Sequence, residues 1–208
     1  MARSASTASV APGTDNASVE GDCRRPLRAD AKRNREQLLA AGRDAFTERG
    51  ADASLEEIAR RAGVGVGTLY RHFPTRQALL EAVYVEEVEA LCRSAADLTD
   101  KSSWDALTQW FSRFVDYAVT KKALVEEMMA TIDKDAPVFR TCHEAIFTAG
   151  EPLLARAKED GVVRPDVEFM DVIRMVSGIT MLRNATPAEV RRVLGMALDG
   201  LRYGAASS

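Results

Sequence analysis

Residues 54–73 read SLEEIARRAGVGVGTLYRHF, and this stretch decides the fold. Ser54-Leu55-Glu56-Glu57 has the form of a capping box, in which the Ser54 hydroxyl accepts from the Glu57 amide and the Glu57 carboxylate reaches back. Leu55, Ile58, Ala59 and Ala62 then recur at helical spacing on one face, and Gly63 ends the helix. Gly63 also permits the left-handed conformation that a tight turn needs. Val64-Gly65-Val66 makes that turn, residues 67–73 form a short helix, and Pro74 stops it. Two short helices joined in this way form a helix-turn-helix, which sets its second helix into the major groove of DNA.

Upstream, Leu38, Ala41, Ala45 and Phe46 repeat with helical period and Gly50 is a natural stop, which supplies the first helix of a three-helix unit. Its centre is expected to hold Leu39, Phe46, Ile58, Val64, Leu69 and Phe73. Ahead of it, Arg24, Arg25, Arg28, Lys32, Arg33 and Arg35 form a basic arm running into a helix, and residues 1–23 are small and polar, as a disordered tail is. Downstream, a long helix is predicted from about residue 75 to 96. Others follow over about 103–120, 122–132, 137–159, 168–183 and 187–202. Thr186, Pro187 and Glu189 give the last of these a strong start. No segment reads as a strand, so the expected class is all-α. Residues 24–76 would form the DNA-binding domain and 77–208 a larger helical domain.

Charge separates these parts. The chain carries −3 overall, but residues 24–76 carry +5, residues 77–208 carry −6 and the first 23 residues carry −2. A basic front on an acidic body points to a polyanionic partner for the front alone. No apolar run is long enough for a membrane span, and the N-terminus has no apolar signal segment. Cys23, Cys92 and Cys142 are odd in number and widely spaced, which fits small helix fillers in a reducing cytoplasm and neither a disulfide framework nor a zinc site. With only two histidines, far apart, no metal or cofactor is implied. The triplet Gly63-x-Gly65-x-Gly67 raises a nucleotide-using enzyme as a competing class. A dinucleotide fingerprint follows a strand, however, and these glycines lie between two helices.

The ordered set Leu38-Leu39-Ala40-Ala41, Phe46, Gly50, Ile58-Ala59, Ala62-Gly63-Val64, residues 67–73 as GTLYRHF, Arg76 and Leu79-Leu80 resembles the N-terminal domain of the TetR family of repressors, without a gap over about residues 34–84. Two positions depart from the common pattern: Gly65 stands where many relatives have Ser or Thr, and Arg76 where they often have Lys. The resemblance implies that Thr68, Tyr70 and His72 touch the DNA backbone or nearby base edges. It implies that Arg76 pins a phosphate at the start of the fourth helix, and that Val66 and Gly67 face bases. Arg71 is the long donor of the recognition helix and suits a guanine; Ser54 can reach a phosphate, as can Arg28 and Lys32 of the arm. His72 is equally suited to capping its helix, and Gly65 to acting as an N-cap without a hydroxyl.

Beyond the reading unit the resemblance is one of layout: a helical domain that pairs two chains and encloses a pocket. The candidate lining is Trp110, Phe114, Met128, Met129, His143, Phe147 and Met175, suited to a largely apolar small molecule, although such a stripe is as readily plain core. The candidate dimer interface is Ile179, Leu182, Val190, Leu194, Ala197, Leu198 and Leu201 on the last two helices, which could equally close the monomer core. The expected function is a homodimeric repressor on an inverted-repeat operator, released by a ligand. The alternative is a DNA-binding regulator that acts through protein partners.

Overall fold

Side-chain caps fix where four of the eight described helices begin. In the computed structural model Ser54 Oγ accepts from the Glu57 amide at 3.1 Å and opens α2 (Leu55–Arg61), and Thr75 Oγ1 accepts from the Ala78 amide at 3.0 Å and opens α4 (Arg76–Ala96). Ser102 Oγ does the same for the Asp105 amide ahead of α5 (Ser103–Met129). A complete capping box between Thr186 and Glu189 opens α8 (Pro187–Asp199), as its sequence requires. The other helices are α1 (Arg24–Arg49), followed by a 3-10 turn over Gly50–Asp52, then α3 (Val66–His72), α6 (Pro137–Glu159) and α7 (Phe169–Thr180). The structure describes residues 24–129, 136–182 and 185–202, without the side chains of 24–28, 119–123, 125–127 and 129. The expected tail over residues 1–23 lies outside the described residues.

The protein is all-α, with no strand among the described residues. Two helices expected over 103–120 and 122–132 are one, α5. Between Ser103 and Met129 the sequence has no glycine, proline or turn cluster, so nothing ends the helix, and Lys121, Lys122, Ala123 and Leu124 are good helix formers. The basic arm is likewise absorbed, since α1 is helical from Arg24.

One continuous core runs through the chain, with a small three-helix head, α1 to α3, at one end and a larger bundle at the other, joined by α4 and by contacts of α5 with α1 and the 3-10 turn. In the head, α1, α2 and α3 bury Leu38, Leu39, Phe46, Ile58, Leu69 and Phe73, with Val64 of the turn half-buried against them. α4 leaves the head through Leu79, Leu80 and Val83 and enters the bundle through Tyr84, Val88 and Leu91, so one apolar stripe belongs to both units. In the bundle α4, α5 and α6 pack on one another, α7 lies against α5, and α8 closes on α7. Trp110, Phe111, Phe114 and Phe169 make an aromatic centre with ring centroids 5.3–6.4 Å apart, and the Trp110 indole donates to the Leu91 carbonyl at 3.3 Å.

Candidate nucleic-acid interface

The turn between α2 and α3 is set by Gly63, whose φ of 68° lies where side chains are strained. The Gly63 amide donates to the Arg60 carbonyl at 3.2 Å and the Val64 amide to Ala59 at 3.0 Å, which satisfies the last carbonyls of α2. Gly65 then caps α3 through its backbone alone: its carbonyl accepts from the Thr68 and Leu69 amides at 2.8 and 3.1 Å. What a serine or threonine hydroxyl would add here, an acceptor for a first-turn amide and a donor toward a phosphate, is missing.

Within α3 the two faces differ sharply. Leu69 is fully buried, and Phe73 just beyond the helix is 4% exposed, so the helix is rooted in the head. Val66 is 38% and Tyr70 43% exposed, and Gly67 and Arg71 are exposed beside them. Thr68 and His72 lie half-buried along the edge, with the His72 ring next to Phe73. α3 thus carries Val66, Gly67, Thr68, Tyr70, Arg71 and His72, and Ser54, the cap of α2, is exposed as well.

Behind this face lies a frame of charges. The Glu57 carboxylate does not return to Ser54; the second half of the expected capping box is missing because Arg61 and Arg49, each at 2.8 Å, take that carboxylate instead. The Arg61 hydrogen bond, followed by the Arg49 charge, holds Glu57 below the usual carboxylate range. Arg61 also reaches Glu48 at 2.8 Å, which ties α2 to the end of α1. On α1, Lys32 lies 3.8 Å from Glu36, both exposed, and Arg35 stacks over the Phe73 ring at 5.8 Å. The Arg28 side chain is outside the described residues. Arg35, read from the sequence as part of the basic arm, is thus seated on the head, as its helical register with Leu38 and Leu39 allows.

Arg76 departs from expectation. Its guanidinium does not stand out toward a phosphate. It turns back and donates to the carbonyls of Ala53, Gly50 at 3.0 Å and Ala51 at 3.1 Å, with the Phe46 ring 5.0 Å beneath it. The reason is physical: carbonyls at the end of a helix lack intrahelical donors, and a planar fork of five N–H groups can serve several at once.

Two family models match this chain. Residues 38–83 match that of bacterial regulatory proteins of the tetR family, and residues 103–203 that of the C-terminal domain of SbtR-like transcriptional regulators. A crystal structure of a TetR transcriptional regulator from Streptomyces coelicolor is 38% identical, covers 81% of this chain and 98% of its own, and superposes with a TM-score of 0.74. The chain belongs to the TetR family. Another TetR structure, from Mycobacterium vanbaalenii, is 35% identical over 85% of this chain and 99% of that one, with a TM-score of 0.72. The regulator UidR of Escherichia coli K12 is 26% identical over 159 residues, 74% of this chain and 81% of UidR. The fold is shared, at 19% identity and a TM-score of 0.61, with LfrR from Mycobacterium smegmatis, whose structure is a complex with proflavine. The protein is thus a DNA-binding transcriptional regulator, which sets aside the enzyme reading.

In this TetR-family regulator the expected pocket residues do not converge on one space. Trp110, Phe114 and Met128 are buried core. Trp110 packs so closely on α6 that a Cβ at Gly150 would lie 2.5 Å from the indole and closer still to Phe169. His143 and Phe147 are exposed, Phe147 packing one edge on Phe169 at 5.4 Å; Met175 is half-buried, and the Met129 side chain is outside the described residues. What the structure brings together instead is Tyr84 of α4 and Tyr117 of α5, whose buried hydroxyls interact near Cys142 and Phe139 of α6. Burial pushes the Tyr84 hydroxyl up to about 12 and raises Tyr117 further. These tyrosines are apolar at helical spacing, and nothing in the sequence marks that they meet.

The dimer candidates also divide. Ile179, Val190, Leu194 and Leu198 are buried and close the monomer core, and Ala197 and Leu201 are half-buried against it. Leu182 is 48% exposed, and with it Met181 and Met196 are the most exposed apolar side chains of this end, at 61% and 62%. Gly178 and Gly195 have open space where a Cβ would stand. The exposed apolar side chains at this end of α7 and on α8 are therefore one expected residue, Leu182, and two others, Met181 and Met196. Among the described residues no helix is long and apolar enough to cross a membrane, and no cluster could hold a metal ion.

Proposed function

We propose that this regulator is a cytoplasmic homodimeric repressor that reads an inverted-repeat operator in double-stranded DNA and is released from it by a largely apolar small molecule. The observation that carries the DNA part is the two-faced recognition helix: Leu69 and Phe73 anchor α3, and Val66, Gly67, Tyr70 and Arg71 project from it. Val66 suits a thymine methyl, Arg71 a guanine, and Thr68, Tyr70, His72 and Ser54 the sugar-phosphate backbone. Lys32 and Arg28 lie on the helix that carries the basic arm and add charge for phosphates. Pairing through the outward face of α7 and α8 sets two such helices one duplex turn apart, about 34–36 Å.

Release is assigned to α4, which is packed in both units. A ligand entering beside Tyr84 and Tyr117 finds two hydroxyls in an apolar setting, the composition of a small-molecule site with a few orienting polar groups. It acts by favouring the conformation in which α4 holds the heads off register, and a typical coupling is about 1–3 kcal/mol. The deciding experiment selects duplexes from a randomised pool with the purified protein and footprints the winner. A protected inverted repeat is expected; a protected site without two-fold symmetry overturns the dimer reading. Compounds that raise the melting temperature are then titrated calorimetrically with and without that duplex, and equal affinity in both titrations overturns ligand release.

A further inference from the structure

We infer that Arg76 is a positioning residue that clasps the two ends of the helix-turn-helix and so fixes the operator spacing this protein accepts, in place of contacting phosphate. The inference rests on the DNA-reading role proposed above. α2, the turn and α3 occupy the chain between Ala53 and Arg76. At one end is the 3-10 turn after α1, and at the other the first residue of α4. The Arg76 guanidinium spans that gap, donating to Gly50, Ala51 and Ala53 and resting on the Phe46 face. Both ends of the segment that carries the recognition helix are therefore pinned to the start of the helix that leads into the bundle.

Farther along, Arg43 of α1 reaches Glu87 of α4 at 3.5 Å, so the head is tied to α4 at two levels about three turns apart. The lower tie is the one that sets α3. Thr75 already caps α4, so Arg76 is not needed to start that helix. A guanidinium spread over three carbonyls and a ring has its planar fork committed, and a lysine, with one point of charge, cannot replace it. Charge alone is thus insufficient at this position, which separates a clasp from a phosphate contact.

The test compares the full-length parent with R76K and R76Q on the duplex the parent selects from a randomised pool, on the same half-sites moved one base pair nearer or farther, and on a single half-site. If Arg76 is a clasp, R76K and R76Q behave alike. Each loses affinity for the selected duplex by about tenfold, the scale of one lost charge-assisted hydrogen bond. Each keeps the parent's salt slope and half-site affinity, and each discriminates less between spacings. If Arg76 touches phosphate, R76K keeps the parent's affinity and R76Q lowers the salt slope by about one per protomer; either result overturns the proposal. Equal losses on the half-site and the full duplex also overturn it, because a damaged head cannot discriminate by spacing. Should the parent select a site without symmetry, the functional reading fails. The clasp is then judged on the salt slope and the lysine-glutamine comparison, which need no symmetry.

Discussion

Tyr70 and Arg71 are neighbours on α3, both exposed, and differ in what they can offer a duplex. A phenol can donate one hydrogen bond and stack but carries no charge, so its loss weakens binding without releasing counterions. Tyr70→Ala is therefore expected to lower affinity for every sequence alike and to leave the salt slope nearly unchanged. A guanidinium can pair with both acceptors of one guanine, so Arg71→Ala is expected to cost about 1–3 kcal/mol at one position of each half-site and relax preference there. Competition gel shifts over a single-substitution operator series check both. Parent-like binding by both variants would remove α3 from the interface. Residues 54–73 gave the face and its members, because burial of Leu69 and Phe73 follows from helical spacing. The inward turn of Arg76 was hidden, because its partners are backbone carbonyls more than twenty positions away, and a carbonyl has no letter in the sequence.

At the scale of elements, α6 approaches α5 and α7 through Gly150, and two effects compete there. Alanine improves the intrinsic helix preference over glycine by about 1 kcal/mol. Its Cβ, however, would drive into the rings of Trp110 and Phe169, which are buried and cannot swing away. Overpacking costs about 1–3 kcal/mol, so the clash is expected to win and Gly150→Ala to lower the urea midpoint; a midpoint equal to or above the parent's contradicts this packing. The junction of α4, α5 and α6 makes a second prediction. Tyr84 and Tyr117 are raised above their ordinary value of 10.0 chiefly by burial, so the folded state holds those protons where the unfolded chain releases them. The contribution of Tyr84 is complete below pH 10 and is lost as pH rises from there through about 12, and that of Tyr117 is lost at higher pH still. Tyr84→Phe should flatten that alkaline fall in urea-derived stability, and an unchanged slope would place the titrating groups elsewhere. Helix starts were legible because caps are local: Ser54, Thr75 and Thr186 each bond an amide three residues on. The run of α5 through residue 121 was not, since periodicity weakens across polar residues although nothing there breaks the backbone.

At the scale of the whole molecule, the last two helices carry an apolar stripe that closes the monomer core and, beside it, a few apolar side chains, Met181, Leu182 and Met196, that the single chain leaves exposed. Periodicity finds an apolar stripe but not what it packs against. In α8, Val190, Leu194 and Leu198 repeat every fourth residue and face inward, while Gly195 and Met196 face out. Two substitutions only two residues apart are therefore expected to fail differently. Leu194→Asp places a carboxylate at a site 2% exposed, where no described partner waits, and should yield insoluble or unfolded chain. Met196→Asp places it at a site 62% exposed in the single chain, so the monomer should fold with the parent's circular dichroism. In a two-fold pairing of this face the same aspartate meets the partner's apolar surface, and on the symmetry axis two carboxylates approach each other. The expected result is a folded monomer in sedimentation velocity, with half-site affinity kept and full-operator affinity lost, because the second head no longer arrives with the first. A Met196→Asp protein that still sediments as a dimer and holds its operator would move the pairing surface off α8 altogether.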